Sequence, residues 1–487
     1  MGLHSENTTT NGSISSGLIW SFGERILAQL VSTIVGIILA RILAPEDYGI
    51  ISIVMIFINL CDVFVASGFG AAVVQKKDAE LVDFNTSFIL GFLLSIALYI
   101  VLFISAPHIA LFYEMESLCP VIRVLGLRII LTSLNTIQQA HIRRQMNFRK
   151  FFFSTSIGTV VSCVIGIVLA YNGFGVWSLV VQYLANTGMS SLALCFICGW
   201  NPKIEFSWER AKEILSTAWK LLCAQLISTL GTDIRNLIVG KAMGATQLAY
   251  YDQGKKYPSL LINNVNTAIN KVMLPAFSRN QDDISVVKHM LRRSIRIGIY
   301  FIAPIMIGLA VVAENFVSVI LTDKWLPVVS LIQIFCLSYL TRPLEETCRQ
   351  AVIAIGKSEL ALKVISLINI VSLVATIVVV ALSNDILYIA LVALAGTMIS
   401  LCGFMITSKQ SLGYLFSEQL QDISPPLIAS MVMGVLVYII DFIPLSSAIT
   451  LVLQVACGVI TYLVLSILLK LEGFSYISTI WKRITKK

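Results

Sequence analysis

Residues 220–240 read KLLCAQLISTLGTDIRNLIVG. The run is long and apolar enough to cross a bilayer as a helix, which takes about 20 residues. Asp233 and Arg235 nevertheless lie well inside it. An ionisable side chain at that depth costs at least ~2.5–3.5 kcal/mol on insertion scales, so it normally faces a protein interior or a wet cavity. The stretch therefore predicts a membrane-spanning helix with one lipid-facing side and one polar side.

The uncharged polar residues of this run share one helical face. They stand at i, i+4, i+7 and i+11, and are Gln225, Thr229, Thr232 and Asn236. Residues 224–229 (AQLIST) also repeat residues 28–33 (AQLVST) with one Val/Ile exchange. The earlier copy has the same polar spacing, at Arg25, Gln29, Ser32 and Gly36. The repeat favours a duplicated bundle, as in many secondary transporters, although a chance match among so many apolar runs stays open.

The composition is that of a polytopic membrane protein. Of 487 residues, 57% are hydrophobic and 13% charged, which excludes a soluble enzyme. The net charge of +8 comes mostly from residues at the ends of apolar runs, so it indicates membrane topology and not nucleic-acid binding. Ten cysteines lie in apolar runs, two of them in the motif CFIC at 195–198, and there are only four histidines. They are interpreted as inert buried thiols, and neither a metal site nor a cofactor is expected.

The apolar runs predict an all-α fold of about fourteen transmembrane helices. The predicted spans are 17–42, 47–74, 84–106, 120–141, 151–171, 175–199, 214–240, 247–274, 294–321, 327–353, 360–382, 386–407, 425–443 and 447–469. They are grouped into two six-helix lobes, 17–199 and 214–410, with a cytoplasmic linker at 200–213. A polar cytoplasmic segment, 1–16, precedes them. An appended helix pair with a basic cytoplasmic tail, 411–487, follows.

Basic residues fall almost entirely into one alternate set of connections. That set contains Lys76, Lys77, Arg143, Arg144, Arg149, Lys150, Lys203, Arg210, Lys212, residues 279–293, Lys357, Lys363, Lys409 and the tail lysines. The opposite set, around 107–119, 172–175, 383–385 and 443–447, has almost none, while Arg41, Lys241 and Lys324 are exceptions. The positive-inside rule therefore predicts that both termini are cytoplasmic.

The charges predicted inside the spans are mainly cationic. The cations are Arg25, Arg128, Arg235 and Lys271. We expect them to line a central cavity and bind a large anionic, hydroxyl-rich ligand, because arginine binds phosphate in a bidentate manner. Amides on the polar faces are assigned to the sugar hydroxyls: Gln29, Gln225, Asn263 and Asn270. For each amide taken singly, a helix–helix hydrogen bond is an equally good interpretation.

The acids inside the spans have two open interpretations. Asp62 and Asp233 lie in apolar spans of opposite lobes, so either is a candidate for H⁺ or Na⁺ coupling. An acid can equally hold an interior arginine in place. Two further pairs, Arg342 with Glu346 and Glu345 with Arg349, are predicted as i, i+4 ion pairs.

Five motifs, in order along nearly the whole chain, resemble the polysaccharide-transporter (Wzx-type oligosaccharide flippase) family. They are LAPEDYG at 43–49, GFGAAVVQKKD at 68–78, GFGVWSLVVQ at 173–182, LPAFSR at 274–279 and DKW at 323–325. This family belongs to the multidrug/oligosaccharidyl-lipid/polysaccharide exporter superfamily. The resemblance is greatest to the lipopolysaccharide, colanic and teichuronic acid exporter branch.

The resemblance implies a function and a location. It implies flipping of an undecaprenyl-diphosphate-linked oligosaccharide across the bacterial cytoplasmic membrane by alternating access of two lobes, for export of surface polysaccharide. The partners would be membrane lipid, glycosyltransferases and a polysaccharide polymerase, with no nucleic acid. Two alternatives stay open: a drug/cation antiporter of the same superfamily, and a membrane glycan polymerase or ligase. A cation-rich interior argues against the antiporter, and short outer loops argue against the enzyme.

Overall fold

The structure, a computed structural model, describes residues 29–76, 78–145, 148–199, 202–383 and 385–474. All the regular secondary structure in these ranges is helical. The first helices are α1 (Gln29–Ile42), α2 (Pro45–Asp62), a π-helix (Val63–Gly70), α3 (Ala71–Gln75), α4 (Leu81–Tyr113), α5 (Leu118–Leu125), α6 (Leu127–Arg144), α7 (Phe148–Tyr171), α8 (Val176–Ile197) and α9 (Trp208–Arg279).

The remaining elements follow in the same order. They are α10 (Ile284–Val311), α11 (Ala313–Phe316), a π-helix (Val317–Leu321), a 3₁₀ turn (Asp323–Trp325), α12 (Val328–Leu340), α13 (Arg342–Ala354), α14 (Ser358–Leu382), α15 (Ile386–Leu412), α16 (Phe416–Ile439), a 3₁₀ turn (Ile440–Phe442) and α17 (Ser447–Leu468).

The predicted all-α, multi-pass membrane fold is confirmed. In the described ranges, ten helices are long and apolar enough to cross a membrane. The other predicted spans correspond to α1, the two halves of α9 and the α12–α13 pair, whose polar content or short length keeps them out of that set. Fourteen spans are compatible with this structure, and the exact number remains a prediction.

Helix α9 contains the two predicted spans 214–240 and 247–274 in one element. It bends at Gly244, whose φ of 80° and ψ of 174° belong to a region that only glycine populates readily. On the α2 side, Gly49 lies directly against the bend: a Cβ added there would be 1.9 Å from the carbonyl oxygen of Ala245. The two helical segments of α9 are therefore joined by a glycine-dependent bend and not by a loop.

Two other helix boundaries differ from the sequence prediction. The span predicted at 327–353 is two helices, α12 and α13, because Pro343 lies in the first turn of α13 and favours a new helix start. Helix α4 continues past its predicted end at 106, with Pro107 inside it. It stops at Glu114, which adopts a left-handed conformation with φ 58°. A proline within a long helix removes one hydrogen bond without necessarily ending the helix.

The chain divides into two compact units, Met1–Ala249 and Tyr250–Lys487. In the first, α7 packs along α8, and α6 packs against α4 and α8 over a core that includes Phe84, Ile137 and Leu194. In the second, α10 packs against α16, α12 and α13, and α14 packs against α15. The lobe boundaries given in the sequence analysis remain predictions.

Candidate functional site

The structure brings Asp62 and Arg128 together inside the first unit. Asp62 is the last residue of α2, and Arg128 lies in the first turn of α6. Their closest atoms, Asp62 Oδ2 and Arg128 Nη2, are 3.5 Å apart, and the side chains are only 16% and 21% exposed. Sequence analysis assigned these residues to two different roles, ion coupling and ligand binding, and did not predict this contact.

Other side chains hold the Arg128 guanidinium as well. Its Nε donates to Thr187 Oγ1 of α8 at 3.3 Å, and its Nη1 lies 3.5 Å from the thioether sulfur of Met55. The second carboxylate oxygen of Asp62 is buried and has no hydrogen-bond partner among the described residues. The pair is therefore a loose ion contact with unused hydrogen-bonding capacity on both sides.

The local backbone explains how Asp62 reaches this position. The α-helical register of α2 ends at Asp62 and continues as the π-helix Val63–Gly70, a wider turn that often occurs at functional sites. Gly70 at its end lies close to α6, because an added Cβ would be 2.8 Å from Thr136 Cγ2. Close approach at Gly70 and the widened turn together bring the end of α2 beside the first turns of α6.

The two copies of the AQL[VI]ST repeat share a local hydrogen bond. Gln29 Nε2 donates to Thr33 Oγ1 at 3.4 Å, and Gln225 Nε2 donates to Thr229 Oγ1, also at 3.4 Å. Gln29 is half-buried and Gln225 is exposed. Each glutamine therefore forms an i, i+4 hydrogen bond on its own helix, and the sugar contacts assigned to the two residues remain predictions.

The other predicted site residues are placed only in part. Asp233 and Arg235 are half-buried in the first half of α9, and both take part in side-chain interactions. Asn263 is exposed, and its backbone carbonyl accepts a hydrogen bond from Thr267 at 2.6 Å. Arg25 lies outside the described residues, as do the side chains of Asn270 and Lys271.

Helix α13 carries the acid cluster predicted as i, i+4 pairs, but its pairing is different. Arg342 contacts Glu345, and Arg349 binds Glu346, both at i, i+3. The reason is that Glu345 is buried and accepts a 2.5 Å hydrogen bond from Ser400 of α15, so its carboxylate turns away from Arg349. No sequence pattern connects residues 345 and 400.

Buried aspartates near helix ends form ion pairs that the sequence analysis did not predict. Asp83 is fully buried and binds Lys76 Nζ at 2.9 Å and Arg210 Nη1 at 3.2 Å. Burial lowers the pKa of Lys76, but hydrogen bonds to Glu213 and Asp83 raise it by more than burial lowers it. The pKa of Lys76 is therefore above its usual value. In the second unit, Asp422 accepts two bonds from Arg292, at 2.7 and 3.0 Å. Some of the basic residues counted as loop charges are therefore paired within the fold.

Comparisons with known proteins agree with this architecture. The profile of the family described as "Polysaccharide biosynthesis protein" matches residues 38–330. The chain is 24% identical to the teichuronic acid biosynthesis protein TuaB of Bacillus subtilis (strain 168), over 82% of this chain and 83% of that one. It is 21% identical to the lipopolysaccharide biosynthesis protein WzxC of Escherichia coli (strain K12), over 72% and 71%.

A solved structure has the same fold. The lipid II flippase MurJ, in an inward closed conformation, superposes with a TM-score of 0.74 at 16% identity, covering 93% of this chain and 98% of that one. At this level of identity the comparison establishes a shared fold.

Proposed function

Because this chain belongs to the polysaccharide biosynthesis protein family, we propose that it flips a polyprenyl-diphosphate-linked oligosaccharide across the bacterial cytoplasmic membrane. The lipid would be undecaprenyl diphosphate, and the sugar a unit of a surface polysaccharide. The observation that carries the proposal is Arg128, a largely buried arginine within a membrane span whose only carboxylate contact in the described structure is loose. TuaB and WzxC, named for two different surface polymers, support a lipid-linked sugar as the common substrate.

We assign the diphosphate to the cations and the sugar to the amides. Arg25, Arg128, Arg235 and Lys271 would hold the diphosphate, since the planar guanidinium forms two parallel bonds to phosphate oxygens. Gln29, Gln225, Asn263 and Asn270 would contact hydroxyls. Thr187 and Met55 orient Arg128 from two sides, which leaves part of its guanidinium available to an anion.

Transport is proposed to proceed by alternating access, with both termini cytoplasmic. Asp62 and Asp233 are the proposed sites of H⁺ or Na⁺ coupling. Glycosyltransferases would supply the lipid-linked sugar at the cytoplasmic face, and a polymerase would use it at the outer face. In this transport step the polar headgroup would cross the membrane intact. The protein would therefore make and break no covalent bond.

A deletion strain tests this function. Without the protein, we expect the lipid-linked oligosaccharide to accumulate on the cytoplasmic side of the membrane and surface polymer to be lost. The wild-type gene should restore both, and Arg128→Ala should restore neither. In a strain that lacks any second flippase for this substrate, the proposed function is wrong if the intermediate still reaches the outer leaflet at the normal rate after the deletion.

A further inference from the structure

We propose that Asp62 is a built-in counter-ion of Arg128, which the diphosphate of the lipid-linked sugar displaces on binding, and that the displaced carboxylate takes a proton from water. The inference rests on the proposed function, since it concerns the same anion site. It assigns Asp62 the role of a competitor for the arginine, and not that of a ligand to the substrate.

The geometry of the contact is the first argument. The protein contains a tight reference pair in which Arg292 binds Asp422 through two nitrogens, at 2.7 and 3.0 Å. The Arg128–Asp62 contact is a single approach of 3.5 Å, although its arginine is about as buried, with 21% exposure against 26% for Arg292. Charge-assisted bonds reach full strength at about 2.7–2.9 Å. Asp62 therefore holds its arginine weakly, and a phosphate able to form two parallel bonds is the better partner.

The other contacts of Arg128 are the second argument. Thr187 accepts from Nε, and the Met55 thioether lies beside Nη1. Neither is an anion, so both can keep the guanidinium in place after the carboxylate has left. The Nη2 group, which now faces Asp62, is the position that a phosphate oxygen would take.

The surroundings of Asp62 are the third argument. The elements that pack closely against α2 are the π-helix 63–70, α5, α6 and α8, together with α9, which meets α2 at Gly49 and Ile53. On this part of α9, Lys241 pairs with Glu114, and Asp233 and Arg235 have side-chain interactions of their own. The π-helix and α8 contain no charged residue, and on α5 the Arg123 guanidinium lies over the Phe103 ring, 4.4 Å from its centroid. The next basic residue of α6 after Arg128 is His141, about 20 Å further along the helix.

At its other end, α2 carries Glu46 and Asp47, also about 20 Å or more from Asp62. Within the described structure, Arg128 is the charged residue whose side chain contacts that of Asp62. When phosphate takes that arginine, an ionised carboxylate would remain buried and uncompensated, which is strongly unfavourable. Protonation removes the charge, so anion binding and proton uptake are linked at this pair.

Two variants distinguish a counter-ion role of Asp62 from a role in binding the substrate directly. Asp62→Asn keeps the shape of the side chain and removes its charge, so it removes the competition for Arg128. We expect its affinity for undecaprenyl diphosphate to rise about threefold to tenfold, and proton uptake on binding to disappear. Arg128→Lys should instead weaken binding, because a lysine ammonium forms no bidentate contact.

The experiment uses the full-length protein in lipid nanodiscs, titrated with undecaprenyl diphosphate and, separately, with uncharged undecaprenol. Calorimetry in two buffers of different ionisation enthalpy measures the protons taken up. Asp441→Asn, an exposed acid of the second unit, is the charge-matched control and should behave as wild type. For the wild-type protein we expect net proton uptake near neutral pH with the diphosphate and none with undecaprenol.

The outcomes distinguish the two proposals. If wild type binds the diphosphate with proton uptake and Asp62→Asn binds more tightly without it, the counter-ion role is supported. If wild type prefers the diphosphate but Asp62→Asn binds equally or more weakly, or still takes up protons, the counter-ion role is wrong while the proposed function stands. If wild type binds both lipids equally, the anion site itself is wrong. The wild-type proton measurement keeps the test decisive even if a variant does not fold.

Discussion

At the scale of single residues, Arg235 tests whether the anion contact needs a guanidinium. We predict that Arg235→Lys impairs flipping about tenfold and that Arg235→Ala nearly abolishes it, because lysine keeps the charge but not the bidentate geometry. Lys271→Ala should cost less, since a lysine acts as a single point charge. Flipping by purified variants measures all three. The control is Lys363→Ala, whose side chain forms an exposed pair with Glu359 and should leave the rate unchanged. Equal rates for arginine and lysine at position 235 would contradict the prediction.

Gly49 is a second residue with a defined role, because it contacts backbone and not a flexible side chain. We predict that Gly49→Ala lowers the thermal stability of the protein, by about 1–3 kcal/mol, since the new methyl group would overlap the carbonyl of Ala245. Gly188→Ala is the matched control: its Cβ would meet only Leu131 Cδ1, at an ordinary 3.6 Å. Unfolding of both variants, followed by a thiol-reactive or fluorescence assay, measures the difference. Similar melting temperatures would show that the α2–α9 contact is adaptable.

At the scale of elements, Asp83 connects the start of α4 with the start of α9. We predict that Asp83→Asn destabilises the protein by about 3 kcal/mol, because Lys76 and Arg210 would lose a fully buried carboxylate. The exposed Asp78→Asn is the control. Thermal unfolding in detergent compares the two, and a loss no larger than that of the control would contradict the prediction.

The Lys76 contact also makes a prediction about pH. The pKa of Lys76 is raised in the folded protein. Its pairing therefore stabilises the fold fully below the ordinary lysine pKa, and this stabilisation is lost as pH rises through the raised value. Thermal unfolding of the wild type should show this alkaline loss, whereas Asp83→Asn should show less of it. An identical pH profile for the two proteins would argue against the pairing.

Helix bounds were predictable where a long apolar run determines them. They were less predictable where a single proline or a local backbone conformation determines them. Spans such as 360–382 and 386–407 correspond closely to α14 and α15, because lipid-facing helices follow hydropathy alone. The break between α12 and α13 depends on one proline. The joining of two predicted spans into the one element α9 depends on the backbone conformation of Gly244. Hydropathy contains no signal for either feature.

The candidate site was predictable by residue type but not by pairing. Depth within an apolar run was enough to select Asp62 and Arg128, because a charged side chain inside a membrane span is energetically costly and usually marks a functional site. Asp62 and Arg128 are 66 positions apart in sequence and lie on different helices. The periodicity of one helix does not indicate which residues of another helix it contacts. The same limit applies to Glu345 and Ser400, and to Asp83 and Arg210.

At the scale of the whole molecule, the distribution of basic residues predicts the orientation in the membrane. With a cysteine introduced at the exposed Asn172, between α7 and α8, we expect labelling of intact cells by a membrane-impermeant maleimide. A cysteine at Lys203, in the exposed linker before α9, should be labelled only after the membrane is opened. The parent protein, with its ten native cysteines, gives the background. The reverse pattern would overturn the orientation.

The central claim is that this fold moves a lipid diphosphate through a cation-lined interior. The most direct test reconstitutes the purified protein in liposomes and follows the passage of its undecaprenyl-diphosphate-linked oligosaccharide between leaflets. We predict flipping by the wild type, and a severe loss for correctly inserted alanine variants of the four assigned cations, Arg25, Arg128, Arg235 and Lys271. Flipping at the wild-type rate by all four variants would show that these cations are structural and that the substrate binds elsewhere.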